Sequence, residues 1–275
     1  MVVAQENIVA LGIVSGVTIL LPILLLILFG ATKILPWKNI LAGIGCSFIF
    51  QGAATLLISQ GFSMIPGFST FTVQFALLAT LLINVLFYGA VEEGLRLFGA
   101  KVLIKRDRSF RGAAALGLGF AFGTIMMTTG GNTIYRLLNS IALNRVDYDA
   151  MIAEMKPEEI ASMQETLIDV QPLDIYLGLA DCLFVVVISI FASVVIMRGV
   201  NLDKLHYYFY ILAINIAYRS TTLLLPQFAE TWIAETALVI LSIFSFVMVL
   251  VLWKNFPDPA PDDSFNRPAN ALQPH

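Results

Sequence analysis

Glu92, Glu93 and Arg96 stand in a stretch that is otherwise uncharged and mostly apolar, NVLFYGAVEEGLRLFGA. Charged side chains are costly in hydrocarbon, where they face a bundle interior or a wet cavity and pair with one another. Glu92 and Arg96 are four residues apart, in the order that favours an ion pair on one helix face. Glu93 lies roughly 100° around the helix and is expected to be the freer acid. Such a cluster is either a functional site or a buried ion-pair network that fixes helix packing. Carboxylates can also hold a metal, but a catalytic zinc needs three protein ligands, typically His with Asp or Glu. The sequence has two histidines, His206 and His275. His206 could serve only by sitting beside Glu92 and Glu93, so no metal ligands are assigned and zinc has most of its ligands missing.

Polar residues repeat at helical spacing in five further segments. These stripes are Ser47, Gln51, Thr55 and Ser59; Asn84 and Tyr88 leading into Glu92 and Arg96; Thr124, Thr128, Asn132 and Arg136; Asp181, Ser189 and Ser193; Asn215, Arg219 and Thr222; Glu235 and Ser242. Residues four apart share a helix face, so the stripes imply helices around a polar interior. Ser and Thr also hydrogen-bond between packed helices with no further purpose. The charges of Arg136, Asp181, Arg219 and Glu235 cancel, which predicts mutual pairing in an outer vestibule, as a cavity wall or as a structural network.

The elements that must position these residues are transmembrane helices. Of the 275 residues, 58% are hydrophobic and 13% charged, where a soluble domain has about a quarter charged. A run of ~18 or more apolar residues can span a bilayer core of ~30 Å. Seven runs qualify: Asn7–Phe29, Ile40–Ser59, about Phe71–Ile104, about Gly112–Leu143 (weakened by Gly130-Gly131), Ile175–Met197, Leu205–Leu225 and Trp232–Trp253. The fold class is therefore an all-α polytopic bundle over residues 1–256. The first run has almost nothing polar and is expected to face lipid. The leading MVVAQEN has no basic n-region, which reads as an uncleaved helix.

Basic residues set the orientation. Lys33, Lys38, Lys101, Lys105, Arg106, Arg108, Arg111, Arg198, Lys204 and Lys254 fall in alternate connections. This places the N-terminus outside and the C-terminus in the cytoplasm. The loop at 145–174 is acidic, with a helix start at Lys156-Pro157-Glu158-Glu159, and is a lid, a docking site or a solvated connector. The Pro-rich tail, 257–275, is expected to be disordered. Cys46 and Cys182 read as small buried hydrophobes. The net charge of −3 gives no reason to expect a nucleic-acid partner. The partners expected are the bilayer and a membrane-embedded peptide or protein, with short loops favouring a bacterial plasma membrane.

The segment Glu92-Glu93-Gly94-Leu95-Arg96, late in a long helix and followed by a basic loop, resembles the Glu-Glu-x-x-Arg motif of the YhfC-type intramembrane proteases. That family is a distant relative of the CAAX-prenyl endopeptidases and of the APH-1 subunit of γ-secretase. The likeness extends to span number, to the acidic loop and to GLADCLFVVVISIFASVVI in the fifth run. It implies Glu92 and Glu93 as water-activating base and partner, with Arg96 orienting them. It also implies a Gly-His-Gly-x-x-Glu stretch in the fourth run, a His in the fifth, and His and Asp in the sixth. At the corresponding places this sequence has Phe122-Gly123-Thr124-Ile125-Met126, Ser189, Asn215 and Arg219.

Three functions remain open. One is a divergent, non-catalytic or weakly catalytic relative that binds a membrane peptide or partner. The second is an active glutamate-dependent intramembrane peptidase. The third is a small-solute transporter, for which the inverted repeats and paired broken helices of transporters are not found.

Overall fold

The computed structural model describes residues 3–56, 64–65, 67–144, 164–168 and 170–257. Each of the seven apolar runs forms a long helix: α1 Gln5–Thr32, α2 Trp37–Leu56, α4 Ala76–Leu103, α5 Phe110–Leu143, α6 Pro172–Asn201, α7 His206–Leu223 and α8 Thr231–Lys254. A short helix, α3 Phe68–Gln74, precedes α4. Among the described residues there is no strand. Among the described residues, five helices, α1, α4, α5, α6 and α8, are long and apolar enough to cross a membrane.

Local signals set the helix ends. Lys33 adopts a left-handed conformation (φ 55°) and its N–H closes α1 on Phe29 O. Ser109 caps α5 by accepting from Gly112 N at 3.0 Å, the usual role of a serine at this position. Pro172 opens α6, where its missing N–H costs nothing.

Three expectations need correction. The third run was expected to be one helix from about Phe71; it breaks at Phe75 (φ −125°, ψ 46°), which separates α3 from α4. The 28 residues of α4 already reach about 42 Å, longer than the hydrocarbon core. Gly130-Gly131 was expected to weaken the fourth run, yet α5 continues through them with one wide turn at Met126–Gly130. There α1 comes close: a Cβ on Gly130 would stand 3.1 Å from Ile19. Finally, α1 exposes Leu20, Leu24 and Ile27, as a lipid-facing helix would, but only on one side. Its opposite face buries Asn7, Ser15 and Thr18 against α5 and α6.

The expected helix start at 156–159 lies outside the described residues, as does the tail from 258. Of the 145–174 loop, the turn Gln164–Ile168 is described, and Leu167 packs with Val3 and Leu143.

The helix that organises the rest is α5. Nearly every residue from Gly112 to Ile125 is buried, with α2 on one side and α6 on the other. Small residues permit backbone contact between helices. A Cβ on Gly119 would fall 1.9 Å from Ile40 O of α2. One on Gly117 would fall 2.6 Å from Ser189 O of α6. This close approach draws α2, α6 and then α4 around one interior.

Gly119→Ala therefore cannot be accommodated without moving α2. The expected cost is about 1–3 kcal/mol, read as a lower unfolding temperature in a fixed detergent. Gly45→Ala, where a Cβ meets nothing within 4 Å, is expected to leave the temperature unchanged or slightly raised, because alanine suits a helix interior better by roughly 0.5–1 kcal/mol.

Candidate functional site

Arg96 lies at the centre of the charged cluster on α4. Its side chain is 1% exposed, and that of Glu93 0%. Arg96 Nη1 donates to Glu93 Oε1 at 3.2 Å, and Nη2 donates to Glu92 Oε1 at 3.1 Å. One arginine thus holds both acids, since three- and four-residue spacings both bring side chains together on a helix. Glu93 is accordingly not the freer acid. It is the more enclosed one, and Glu92, 14% exposed, is the one that lines the cavity.

Two other helices complete the network. From α6, Ser189 Oγ accepts from Arg96 Nη2 at 3.1 Å. From α7, the Asn215 amide donates to Glu93 Oε1, and Arg219 Nη2 donates to Glu92 Oε2 at 2.6 Å. Arg219 Nε donates to Asn215 Oδ1 at 2.9 Å, and Nη1 to the Asn84 carbonyl at 3.2 Å. Gly89 faces the network: a Cβ there would sit in ordinary contact, 3.6 Å from Asn215 Oδ1 and 3.8 Å from Arg219 Cδ. Aromatic rings flank the guanidiniums. Arg96 lies 4.3 Å from the Phe120 ring centroid of α5, and Arg219 lies 5.7 Å from Phe50 of α2 and 5.8 Å from Tyr88.

A cavity of about 500 Å3 adjoins this network. Glu92, Arg96, Asn215 and Arg219 line it together with Tyr88, Thr124, Thr128, Asp181, Ser189, Tyr218 and Glu235. Phe50, Val185, Ile188 and Leu238 supply apolar wall. Thr124 is held by a 2.9 Å hydrogen bond with Ser47 of α2.

The expected vestibule of four mutually paired charges does not form. Arg219 faces Glu92, across the bundle interior. Arg136 donates to the Thr166 carbonyl at 2.6 Å, away from the cavity, and Asn132 does not line it either. Asp181 and Glu235 both line the cavity, and no ion pair joins them to an arginine among the described residues. Asn84 contributes its carbonyl rather than its amide. Periodicity located the polar faces but not their depth or mutual rotation, and the pairing follows from those.

The donor set does not fit a catalytic zinc ion. Among the described residues no group of three His, Cys, Asp or Glu could hold a metal. His206 begins α7, nine residues or roughly 13 Å of helix from Asn215, and stacks on Tyr207 with centroids 4.6 Å apart. Each oxygen of Glu92 and Glu93 accepts from a guanidinium. A divalent ion would have to displace those donors and then sit beside two positive charges. Of the places where the resemblance implied His or acidic residues, those on α6 and α7 meet the glutamate–arginine cluster, and they carry Ser189, Asn215 and Arg219.

Phe50 and Phe120 escaped the sequence reading because an aromatic residue under a guanidinium looks like any core aromatic. Tyr218 was missed because it is one of several tyrosines on α7.

A family model described as YhfC intramembrane metalloprotease matches residues 17–243. No curated protein and no solved structure matches the chain.

If Arg96 is the shared counter-charge, removing it alone strands buried carboxylates. Arg96→Gln is expected to cost about 3–5 kcal/mol, seen as a large fall in unfolding temperature in detergent. Glu93→Gln combined with Arg96→Gln should recover much of that loss. A double variant no more stable than Arg96→Gln would show that the two side chains are not coupled.

Proposed function

We propose that this chain, which belongs to the YhfC intramembrane metalloprotease family, is a divergent member that binds a membrane-embedded peptide in its polar cavity without metal-dependent hydrolysis. The supporting observation is the double clamp on the glutamate pair: two guanidiniums hold Glu92 and Glu93, and the side chains around them are a hydroxyl, an amide and an arginine. Activation of water needs a base whose charge is available to the water. Here that charge is tied into pairs.

The cavity suits a peptide. Its size falls within the roughly 300–1,000 Å3 of common ligand pockets. Backbone N–H groups within a membrane must find acceptors. The carboxylates of Asp181 and Glu235 and the hydroxyls of Thr128 and Thr129 line the cavity and can accept from a strand or unwound turn of a guest segment. Ile188 and Leu238 offer contact for its apolar side chains. In this reading the protein resides in a bacterial plasma membrane, with the end bearing Lys38, Lys105 and Arg106 in the cytoplasm, where basic loops accumulate.

The full chain, purified and reconstituted with a synthetic transmembrane peptide, tests this. A photoreactive side chain at Leu238, on the cavity wall, is expected to crosslink the peptide. The same group at Ile240, 63% exposed on the outer face of α8, is expected not to. The peptide should remain intact and the protein should carry far less than one zinc per chain. Stoichiometric zinc, or cleavage that Glu92→Gln abolishes, would replace this reading with an active peptidase.

A further inference from the structure

At the end of the bundle away from Asp181 and Glu235, a cleft of about 600 Å3 lies between the start of α2 and the connection from α4 to α5. We propose that this cleft holds the phosphate headgroup of an anionic phospholipid, with the acyl chains lying against the adjoining apolar helix surface. The proposal does not depend on what the central cavity binds.

Three observations carry it. The first is charge. Lys38, Lys105 and Arg106 line the cleft, and none has an acidic partner among the described residues. The acid in the lining, Asp107, is already engaged. Its Oδ1 accepts from Ser109 Oγ at 2.6 Å and its Oδ2 from Asn39 Nδ2 at 3.0 Å. The cleft therefore has cations to spare for a ligand.

The second is a built shape. The same Asp107 contacts tie the 104–109 connection to α2, and Asp107 N donates to Ile104 O at 2.9 Å. A Cβ on Gly112 would fall 2.2 Å from Asp107 O, so the connection is pressed onto α5. The lysines and the arginine project from a fixed wall. In the first turn of α2, Asn39 N and Ile40 N donate to Pro36 O, which leaves the N–H groups of Trp37 and Lys38 at the helix start, where phosphate is favoured.

The third is its place in the bilayer. The cleft sits where α1 and α4 end and α2 and α5 begin, which is headgroup level for spanning helices. Trp37 lines it, and indoles concentrate at that level. Immediately beside it, Ile34, Leu41, Val102 and Leu103 are 43–59% exposed. Basic pockets between helix ends recognise anionic headgroups, each cation contributing about 1 kcal/mol. A free phosphate ion would use the cations but leave the apolar shelf bare.

Fluorescence quenching by brominated lipid tests this. The chain has three tryptophans, so Trp232→Phe with Trp253→Phe leaves Trp37 as the sole indole reporter in the full-length protein. In vesicles, brominated phosphatidylglycerol is expected to quench Trp37 more than brominated phosphatidylcholine at the same mole fraction. The excess should shrink as salt is raised. Each of Lys38→Gln, Lys105→Gln and Arg106→Gln should lower the relative association constant about fivefold, and the triple variant should lose the excess. These side chains are exposed, and an unchanged unfolding temperature confirms that folding is intact. Equal quenching by the two lipids would overturn the proposal, and so would an excess that survives the triple variant. Loss of the excess on adding inorganic phosphate at constant ionic strength would reassign the cleft to free phosphate.

Discussion

The pairing of two glutamates with two arginines inside a helix bundle is the constraint on which this structure rests. An uncompensated charge in such a place costs several kcal/mol even after relaxation. The four groups are neutral together, and removing any single one leaves a net charge. Glu92 needs both Arg96 and Arg219, and Arg96 serves both acids. Because Arg219 and Asn215 come from α7 and Ser189 from α6, no two-helix fragment satisfies the network. The charges thereby specify which helices must meet and at what depth, a discrimination that nonspecific apolar contact between lipid-like surfaces does not supply.

That demand explains the composition of α5. For α2 and α6 to close in on its two sides and bring the network together, α5 must be thin. The run GAAALGLGFAFG provides this, with backbone-to-backbone contact at Gly117 and Gly119. Among its few large residues is Phe120, whose ring lies under the Arg96 guanidinium. There a larger apolar group is useful, because it seals the buried end of the cluster while its π face favours the cation.

Much of this was legible in the sequence. Length and hydropathy of the apolar runs gave the helices, since lipid leaves a backbone few alternatives. The Glu92-Glu93-x-x-Arg96 spacing gave the core of the site, and residues four apart gave the faces. Three things were not legible. The break at Phe75 carries no Gly or Pro signal. The assignment of Arg219 to Glu92 rather than to Asp181 or Glu235 depends on helix depth and rotation, which charge counting ignores. The closeness of Glu93 to Arg96 was misjudged by treating an angular offset as separation, when an arginine fork spans both neighbouring acids.

Family membership and local chemistry point in different directions, and the charges reconcile them. A glutamate pair at this depth requires about two positive charges from some source. In a metalloprotease one divalent ion can supply them, held by neutral imidazoles. In this chain two guanidiniums supply them as covalent parts of α4 and α7, and of the neutral positions nearby Ser189 accepts from Arg96 while Asn215 joins Glu93 to Arg219. The two solutions balance the same charge but differ in what they leave open. A metal ion presents vacant coordination sites to substrate. A guanidinium has no coordination site to present. The same glutamates can therefore be kept for the stability and geometry of the bundle while the cavity beside them is free to serve recognition.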